Sequence, residues 1–199
     1  MHWTTLFVSA LALAPVLAAQ TTPPSQAQQQ ANWTAHRGDF DYLLGDWEFT
    51  SQSKQYGAGH GLWSAVRLEA GGPILDEYRV MGDSGQTYAV SSTLRSYNAA
   101  TDRWELVSVD EGTGLRNIGT GQLVNGEMHI EQTFGATSPR PSLWRIRYHD
   151  IRPDRFSWVA DVSSDGGRTW TAEFLKIEAR RIGPAQPFPP LTHPRTTVH

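Results

Sequence analysis

The chain has 199 residues, no cysteine and a formal net charge of −3 at pH 7. The lack of cysteine excludes disulfides, so an exported form must be stabilised by its core alone. The nearly neutral charge argues against nucleic acid or an anionic membrane as the main partner. Between its terminal segments the chain is long enough for one domain with a substantial core.

The N-terminal segment, residues 1–19, predicts a secretory signal peptide. Its apolar run is shorter than the roughly 20 residues that span a bilayer, and Ala18 and Ala19 offer a cleavage site with small side chains. Residues 20–32 are uncharged and rich in glutamine, which predicts a disordered linker. We therefore expect a periplasmic or secreted protein with no integral membrane segment after signal removal.

Residues 33–182 alternate turn residues with runs of aromatic and β-branched residues, which predicts strands joined by hairpins. Asn125-Gly126 is the sharpest turn, because both residues tolerate the positive φ of a type I′ hairpin. Ten strands are predicted. They span 47–54, 60–70, 74–82, 86–97, 103–111, 115–124, 127–135, 142–151, 155–163 and 169–180.

Ten consecutive hairpin-linked strands would leave two unpaired edges in an open sheet. Closure removes these edges, so we predict an all-β fold, a single up-and-down antiparallel barrel preceded by a short helical turn at residues 40–44. A two-sheet sandwich is the alternative. Residues 183–199 are rich in proline and predict a surface tail or a disordered end, with Phe188 and Leu191 able to pin it to the barrel.

The segment Gly45-Asp46-Trp47 opens the first strand, and Arg180 and Arg181 end the last one. Gly-x-Trp at the head of a meander resembles the opening motif of the lipocalin and wider calycin families of β-barrels. The resemblance implies that a terminal arginine stacks over Trp47 at the closed end of the barrel. Cation–π attraction makes such a contact favourable by roughly 0.5 to 2 kcal/mol.

Four segments together resemble an uncharacterised bacterial family of exported, lipocalin-like barrels. They are residues 40–47, 72–78, 96–104 and the Asp-Gly-Gly-x-Thr-Trp hairpin at 165–170. The resemblance spans most of residues 38–181 and implies the fold more than a function, since members of that family largely lack an assigned activity.

The hairpin sequence Ser-x-Asp-x-Gly-x-Thr-Trp, residues 163–170, also resembles the Asp-box of sialidases and other β-proteins. In that motif the aspartate caps turn amides and the tryptophan packs beneath. A structural role is therefore predicted for Asp165 and Trp170. One copy in a domain of this size does not make a propeller.

The first functional hypothesis is a binding protein whose barrel admits a small apolar or amphipathic ligand, in a cavity of roughly 300 to 1,000 Å³. Alternation alone does not decide which face of each strand looks inward. The candidate ligand-binding residues are Trp47, Glu77, Tyr78, Tyr97, Arg147, His149 and Glu173. No catalytic residue, metal site or cofactor is predicted, because the chain has no Gly-x-Ser-x-Gly elbow, phosphate-binding glycine loop or closely spaced histidine pair.

Three alternatives stay open at this point. The first is an enzyme on a small aromatic acid, similar to barrel-type phenolic acid decarboxylases, which requires arginine, glutamate and tyrosine to converge. A haem site, as in the nitrobindin-like barrels that the chain resembles in strand number, would use His129 or His149. The third is an envelope interaction module, which would show a solid core and an exposed apolar patch of several hundred Å².

Overall fold

The computed structural model describes residues 23–68, 71–112 and 114–188. Each strand pairs antiparallel with its neighbours along the chain, and the last strand pairs with the first to close the barrel. The strands are β1 Gly45–Ser53, β2 Gly57–Arg67, β3 Ile74–Met81, β4 Thr87–Asn98, β5 Arg103–Asp110, β6 Gly114–Val124, β7 Glu127–Phe134, β8 Ser142–His149, β9 Arg155–Ser163 and β10 Thr171–Gly183. The predicted barrel is confirmed, and the sandwich alternative is wrong because closure leaves one continuous sheet.

The turns form where turn residues interrupt the alternating runs. Asn125 and Gly126 have φ values of 52° and 82°, as a type I′ hairpin requires. In β1, β5 and β7, buried and more exposed side chains alternate with a period of two, so the register of each strand determines which residues enter the core.

One helix, α1 (Gln26–His36), precedes the barrel and corrects the prediction of a disordered linker at 20–32. Glutamine and alanine are good helix formers, and the Ser25 side chain caps the helix by accepting from the Gln28 amide at 3.2 Å. Tertiary contacts add to this. The Trp33 ring lies 6.2 Å from the Tyr97 ring, and Asn32 Nδ2 donates to Ala99 O at 3.1 Å.

The closed end of the barrel is built around Trp47, which is fully buried. The Arg181 guanidinium lies 4.0 Å from the centre of the Trp47 ring, so the contact implied by the lipocalin resemblance is confirmed. Arg181 also donates to Tyr42 O at 2.8 Å, and so joins the end of β10 to the short 3-10 helix Asp41–Leu43. Gly45 has φ +111°, and a Cβ there would lie 2.5 Å from Arg181 Nη1, so only glycine fits.

Beyond Gly183, Pro187 forms a parallel bridge with Arg67 at the end of β2, and Phe188 is half-buried. The predicted signal peptide (1–19) and the rest of the predicted tail (189–199, with Leu191) lie outside the described residues. Neither helix in the described ranges is long and apolar enough to cross a membrane.

Candidate functional site

The barrel interior is packed at one end and hollow above it. Large side chains fill the closed end, namely Phe40, Leu43, Trp47, Trp104 and Phe156. Above them lies a cavity of about 290 Å³, reached from the end where β1–β2, β3–β4 and β5–β6 turn. This volume is at the lower limit of the predicted range, and the cavity is the candidate functional site.

One wall of the cavity is aromatic. Tyr78 stacks on Phe49 with ring centres 4.6 Å apart and meets Trp63 edge-on at 5.4 Å. On β7 and β8, Phe134 stacks on Trp144 at 4.2 Å, and Trp144 is the cross-strand neighbour of Gln132. Such packed ring pairs have few alternative rotamers, so they present flat apolar surfaces to a ligand.

Polar side chains from β4 to β7 line another part of the cavity. They are Ser91, Thr93, Ser108, Asp110, Arg116, Asn117 and Gln132. Asn117 Nδ2 donates to Ser108 Oγ at 2.7 Å. Gln132 is 9% exposed and lines the cavity, but among the described residues the fully buried side-chain atoms without a hydrogen-bond partner are Tyr42 Oη, Arg95 Nη1 and Arg116 Nε. A buried donor without a partner is costly, so the cavity-lining Arg95 Nη1 and Arg116 Nε are groups that a ligand or water would satisfy.

A buried ion pair forms the floor of the cavity. Arg95 donates to both carboxylate oxygens of Asp76, at 2.6 and 3.1 Å, and Trp63 Nε1 donates to Asp76 Oδ1 at 2.8 Å. The guanidinium lies 4.9 Å from the Phe40 ring centre. Burial by itself lowers the pKa of Arg95, but the adjacent Asp76 carboxylate outweighs it and raises that pKa above its usual range. The floor is therefore a charged but internally neutral pair.

Two tyrosines next to this pair stay protonated. Burial raises the pKa of Tyr148 to about 12, and it raises the pKa of Tyr42 well above its usual value. Both therefore act as neutral phenols at physiological pH, and neither serves as a general base there.

A second ion pair stands at the mouth of the cavity. Arg116 Nε lies 3.0 Å from Asp110 Oδ2, and both side chains are partly exposed. The register between β5 and β6 shifts at Ser108 and Val109, immediately before this pair. The shift is a β-bulge, a device that re-aims side chains at barrel rims.

The structure places only some of the predicted ligand-binding residues inside the barrel. Tyr78 lines the cavity. Trp47 and Tyr97 are buried, but they lie at the closed end and do not line the cavity. The Tyr97 ring on β4 lies near Trp33 of α1, and its hydroxyl donates to Asp102 in the turn between β4 and β5.

Four other predicted residues point away from the cavity, which corrects their assignment. On β3 and β8 the inward positions belong to Asp76, Tyr78, Ile146 and Tyr148, so alternation turns Glu77, Arg147 and His149 outward. There Glu77 accepts from Arg79 at 2.7 Å, Arg147 pairs with Glu127 at 3.2 Å, and His149 pairs with Asp150 at 2.9 Å. Glu173 is exposed in a bulge of β10, with φ +47°.

These positions also bear on two of the alternatives, the enzyme on a small aromatic acid and the haem site. Glu77 and Arg147 lie on the opposite side of the wall from Tyr78, so the arginine, glutamate and tyrosine named for an acid-processing enzyme do not converge. His129 is exposed beside Glu127, and His149 is on the outer face, so neither reaches the interior as a haem ligand. Among the described residues, no group of three His, Asp or Glu side chains is placed to hold a metal ion.

Sequence reasoning missed Arg95, Gln132, Arg116 and the role of Asp76. A signal was available for Asp76, since it shares a strand face with Ile74 and Tyr78. A buried charge can be predicted from sequence only if its counter-ion is also identified. Asp76 and Arg95 are 19 residues apart on different strands, so the sequence does not show that they pair. Only the β3–β4 register brings them together.

The closed barrel with an arginine-capped tryptophan and an internal cavity defines a lipocalin-like β-barrel protein. No protein-family model matches the sequence, and a search of curated proteins finds no match. Among solved structures, the chain is similar to the S-type phycobiliprotein lyase CPES from Guillardia theta, with a TM-score of 0.50 and 9% sequence identity. The alignment covers 82% of this chain and 98% of that chain, and at this identity the similarity concerns the fold.

Proposed function

We propose that this protein is an exported binding protein that holds a small amphipathic molecule in the barrel cavity. The observation that carries the proposal is the mixed lining of this cavity, in which aromatic rings stand beside polar side chains, as Trp144 stands beside the Gln132 amide. A purely apolar ligand would leave that amide desolvated, at a cost of about 1 to 3 kcal/mol. A uniformly polar ligand would gain nothing from the rings of Tyr78 and Trp144.

The two ion pairs restrict the charge of the ligand. Arg95 is 3% exposed and bonded to both oxygens of Asp76, so its charge is already balanced, although its Nη1 has no hydrogen-bond partner among the described residues. A full charge deep in the cavity would therefore be unpaired and costly. The ligand should carry uncharged hydrogen-bonding groups near Gln132 and Thr93, and place any charge at the mouth beside Arg116 and Asp110.

Export rests on the N-terminal segment, whose short apolar run and small residues at Ala18 and Ala19 match a cleavable signal. If cleavage follows Ala19, the mature chain begins at Gln20. A periplasmic or secreted location is therefore part of the proposal.

The test is native mass spectrometry of the full chain expressed in a bacterium and recovered from the periplasm, compared with the same sample after denaturation. We expect a polypeptide mass that begins at Gln20, plus a reproducible extra mass that is lost on denaturation. Thr93→Trp takes up part of the cavity and should remove the extra mass. The matched control Ser92→Trp places the same ring on the outer face of β4 and should retain it.

Thr93→Trp could destabilise the fold by overpacking, at a cost of about 1 to 3 kcal/mol. Gln132→Leu therefore serves as a second variant. It keeps a side chain of similar volume at position 132 and removes the amide that would hydrogen-bond to the ligand. A bare mass for the wild-type protein, also after incubation with lipid and aromatic-acid extracts, contradicts ligand binding. Accumulation of the uncleaved precursor in the cytoplasm contradicts export.

A further inference from the structure

The outer wall of the barrel carries a row of apolar side chains across β2 to β8. Cross-strand pairing joins its members in turn, namely Val66, Leu75, Leu94, Val107, Ile118 and Leu143, with the polar Thr133 between the last two. Leu75, Leu94, Val107 and Ile118 are between 37% and 48% exposed. Single exposed apolar residues are common, but a continuous row across neighbouring strands marks an interaction surface.

From β4 to β8 this row forms part of the lining of a groove of about 860 Å³. A second row of outward side chains lies beside it, one pleat closer to the closed end, and consists of Ser96, Glu105, Thr120, Glu131 and Arg145. We refer to these two rows between β4 and β8 as the outer groove. Its apolar side and its polar side are the two halves of an amphipathic surface.

The Asp-box hairpin limits the outer groove at one end. Gly167 and Trp170 belong to the lining, and the Arg145 guanidinium lies 4.0 Å from the centre of the Trp170 ring. Trp170 Nε1 donates to Gly167 O at 3.1 Å, so the ring is held in place by its own hairpin. The motif thus contributes a rigid aromatic end wall as well as a stable turn.

We infer that the outer groove binds an amphipathic helix of a partner protein, with apolar side chains on one face and basic side chains beside them. The charge of the groove favours a basic partner. Arg145 is stacked on Trp170 and its Nε lies 4.0 Å from Glu131 Oε1, so Glu105 gives the groove a net negative charge. The same carboxylates disfavour an anionic lipid surface.

The closed barrel explains why the occupant is a helix. Every strand is paired on both sides, so the wall offers no free edge to an extended peptide. A segment lying on apolar side chains must therefore satisfy its own backbone hydrogen bonds, as a helix does. The groove crosses four inter-strand spacings of about 4.8 Å, or about 19 Å, which matches a helix of about 13 residues.

The test uses a synthetic amphipathic peptide with leucines along one helical face and lysines flanking them, and a matched peptide in which glutamates replace the lysines. Binding to the full mature chain is measured by fluorescence anisotropy of the labelled peptides. We expect the lysine peptide to bind at least about tenfold more tightly than the glutamate peptide, and Glu131→Gln to reduce that preference.

Ile118→Ser should weaken binding of the lysine peptide by about tenfold, because it removes an apolar side chain from the middle of the row. The matched control Leu62→Ser changes a similarly exposed residue on the outer face of β2, outside the groove, and should leave binding unchanged. Both positions are exposed, so both variants should fold, and their unfolding temperatures are measured to verify this.

Several outcomes would overturn the proposal. They are equal binding of the two peptides, no binding of either, or binding that Ile118→Ser does not weaken. Sedimentation that shows a dimer of the wild-type chain, dissociated by Ile118→Ser, would assign the groove to a second copy instead. Because the peptides probe the outer wall, these results do not depend on whether the interior cavity binds a ligand.

Discussion

At the scale of single residues, the interior of this barrel depends on Asp76 and Arg95. Both are nearly inaccessible to solvent, and two hydrogen bonds join them beneath the cavity. Arg95 also lies between the Phe40 and Tyr148 rings. A buried pair of this kind contributes little net stability compared with apolar residues of the same volume, but loss of one partner leaves the other charge unpaired.

Asp76→Asn should therefore lower the free energy of unfolding by about 3 to 5 kcal/mol, because the Arg95 charge stays buried without a counter-ion. Urea denaturation followed by tryptophan fluorescence measures this. The adjacent outward substitution Glu77→Gln is the control, and it should cost under about 1 kcal/mol because that pair is exposed to solvent.

The double variant Asp76→Leu with Arg95→Met should recover much of the loss, since both charges are removed together. If Asp76→Asn is as stable as the wild-type protein, the carboxylate is not the counter-ion of Arg95, and this account of the cavity floor is wrong.

At the scale of structural elements, the Asp-box hairpin forms from local hydrogen bonds. Asp165 Oδ1 accepts from the amides of Arg168 and Thr169, both at 3.0 Å, and Asp165 Oδ2 accepts from the Thr169 hydroxyl at 2.7 Å. Hydrogen bonds lower the pKa of Asp165 to about 2. The Thr169 amide contributes most, followed by the Thr169 hydroxyl and then the Ser163 hydroxyl. The structural role predicted for this motif agrees with these contacts.

The low pKa of Asp165 defines the pH range in which its carboxylate stabilises the hairpin. Because the pKa is lower in the folded state than the usual value of about 3.9, ionised Asp165 stabilises the hairpin fully above about pH 4. This contribution is lost as the pH falls from about 4 to about 2. We expect Asp165→Asn to speed hydrogen exchange of the Arg168 and Thr169 amides at neutral pH.

The difference in exchange between Asp165→Asn and the wild-type protein should shrink as the pH falls towards 2, as both hairpins then lack the charge. Asp154→Asn, in an exposed turn between β8 and β9, should not change these amides. Unchanged exchange in Asp165→Asn at neutral pH would show that the hairpin does not depend on the carboxylate.

At the scale of the whole molecule, the barrel depends on pairing between its first and last strands. β1 pairs with residues from Leu175 to Gly183 of β10, and Arg181 at that end covers Trp47. These strands are far apart in sequence, so their pairing requires the rest of the chain to be in place. Without it, β1 and β9 would become exposed edges.

A chain that ends after Phe174 should therefore show no cooperative thermal transition, because it loses all β1–β10 pairing. A chain that ends after Phe188 keeps every described strand pair and should unfold cooperatively. Circular dichroism during heating distinguishes the two. A sharp transition in the shorter chain would mean that closure is not required for a stable fold.

The strands were predictable because turn chemistry and alternation are local properties. Asn125-Gly126 marks a hairpin by its own conformational preference, and the observed strand bounds differ from the predicted ones by at most three residues. Helix α1 was missed because the polar, uncharged composition of residues 20–32 resembles that of a disordered segment. The packing of Trp33 on Tyr97 that supports the helix exists only when the barrel has formed.

The sequence by itself determined the antiparallel strands and favoured their closure into a barrel, and the lipocalin resemblance implied that a terminal arginine stacks on Trp47. Only the tertiary structure decided which face of each strand looks inward, because alternation is symmetric until cross-strand register assigns one face to the core. That assignment turned Glu77 and Arg147 outward. It also brought Asp76 to Arg95, and it aligned Leu94, Val107 and Ile118 into one apolar row on the outer wall.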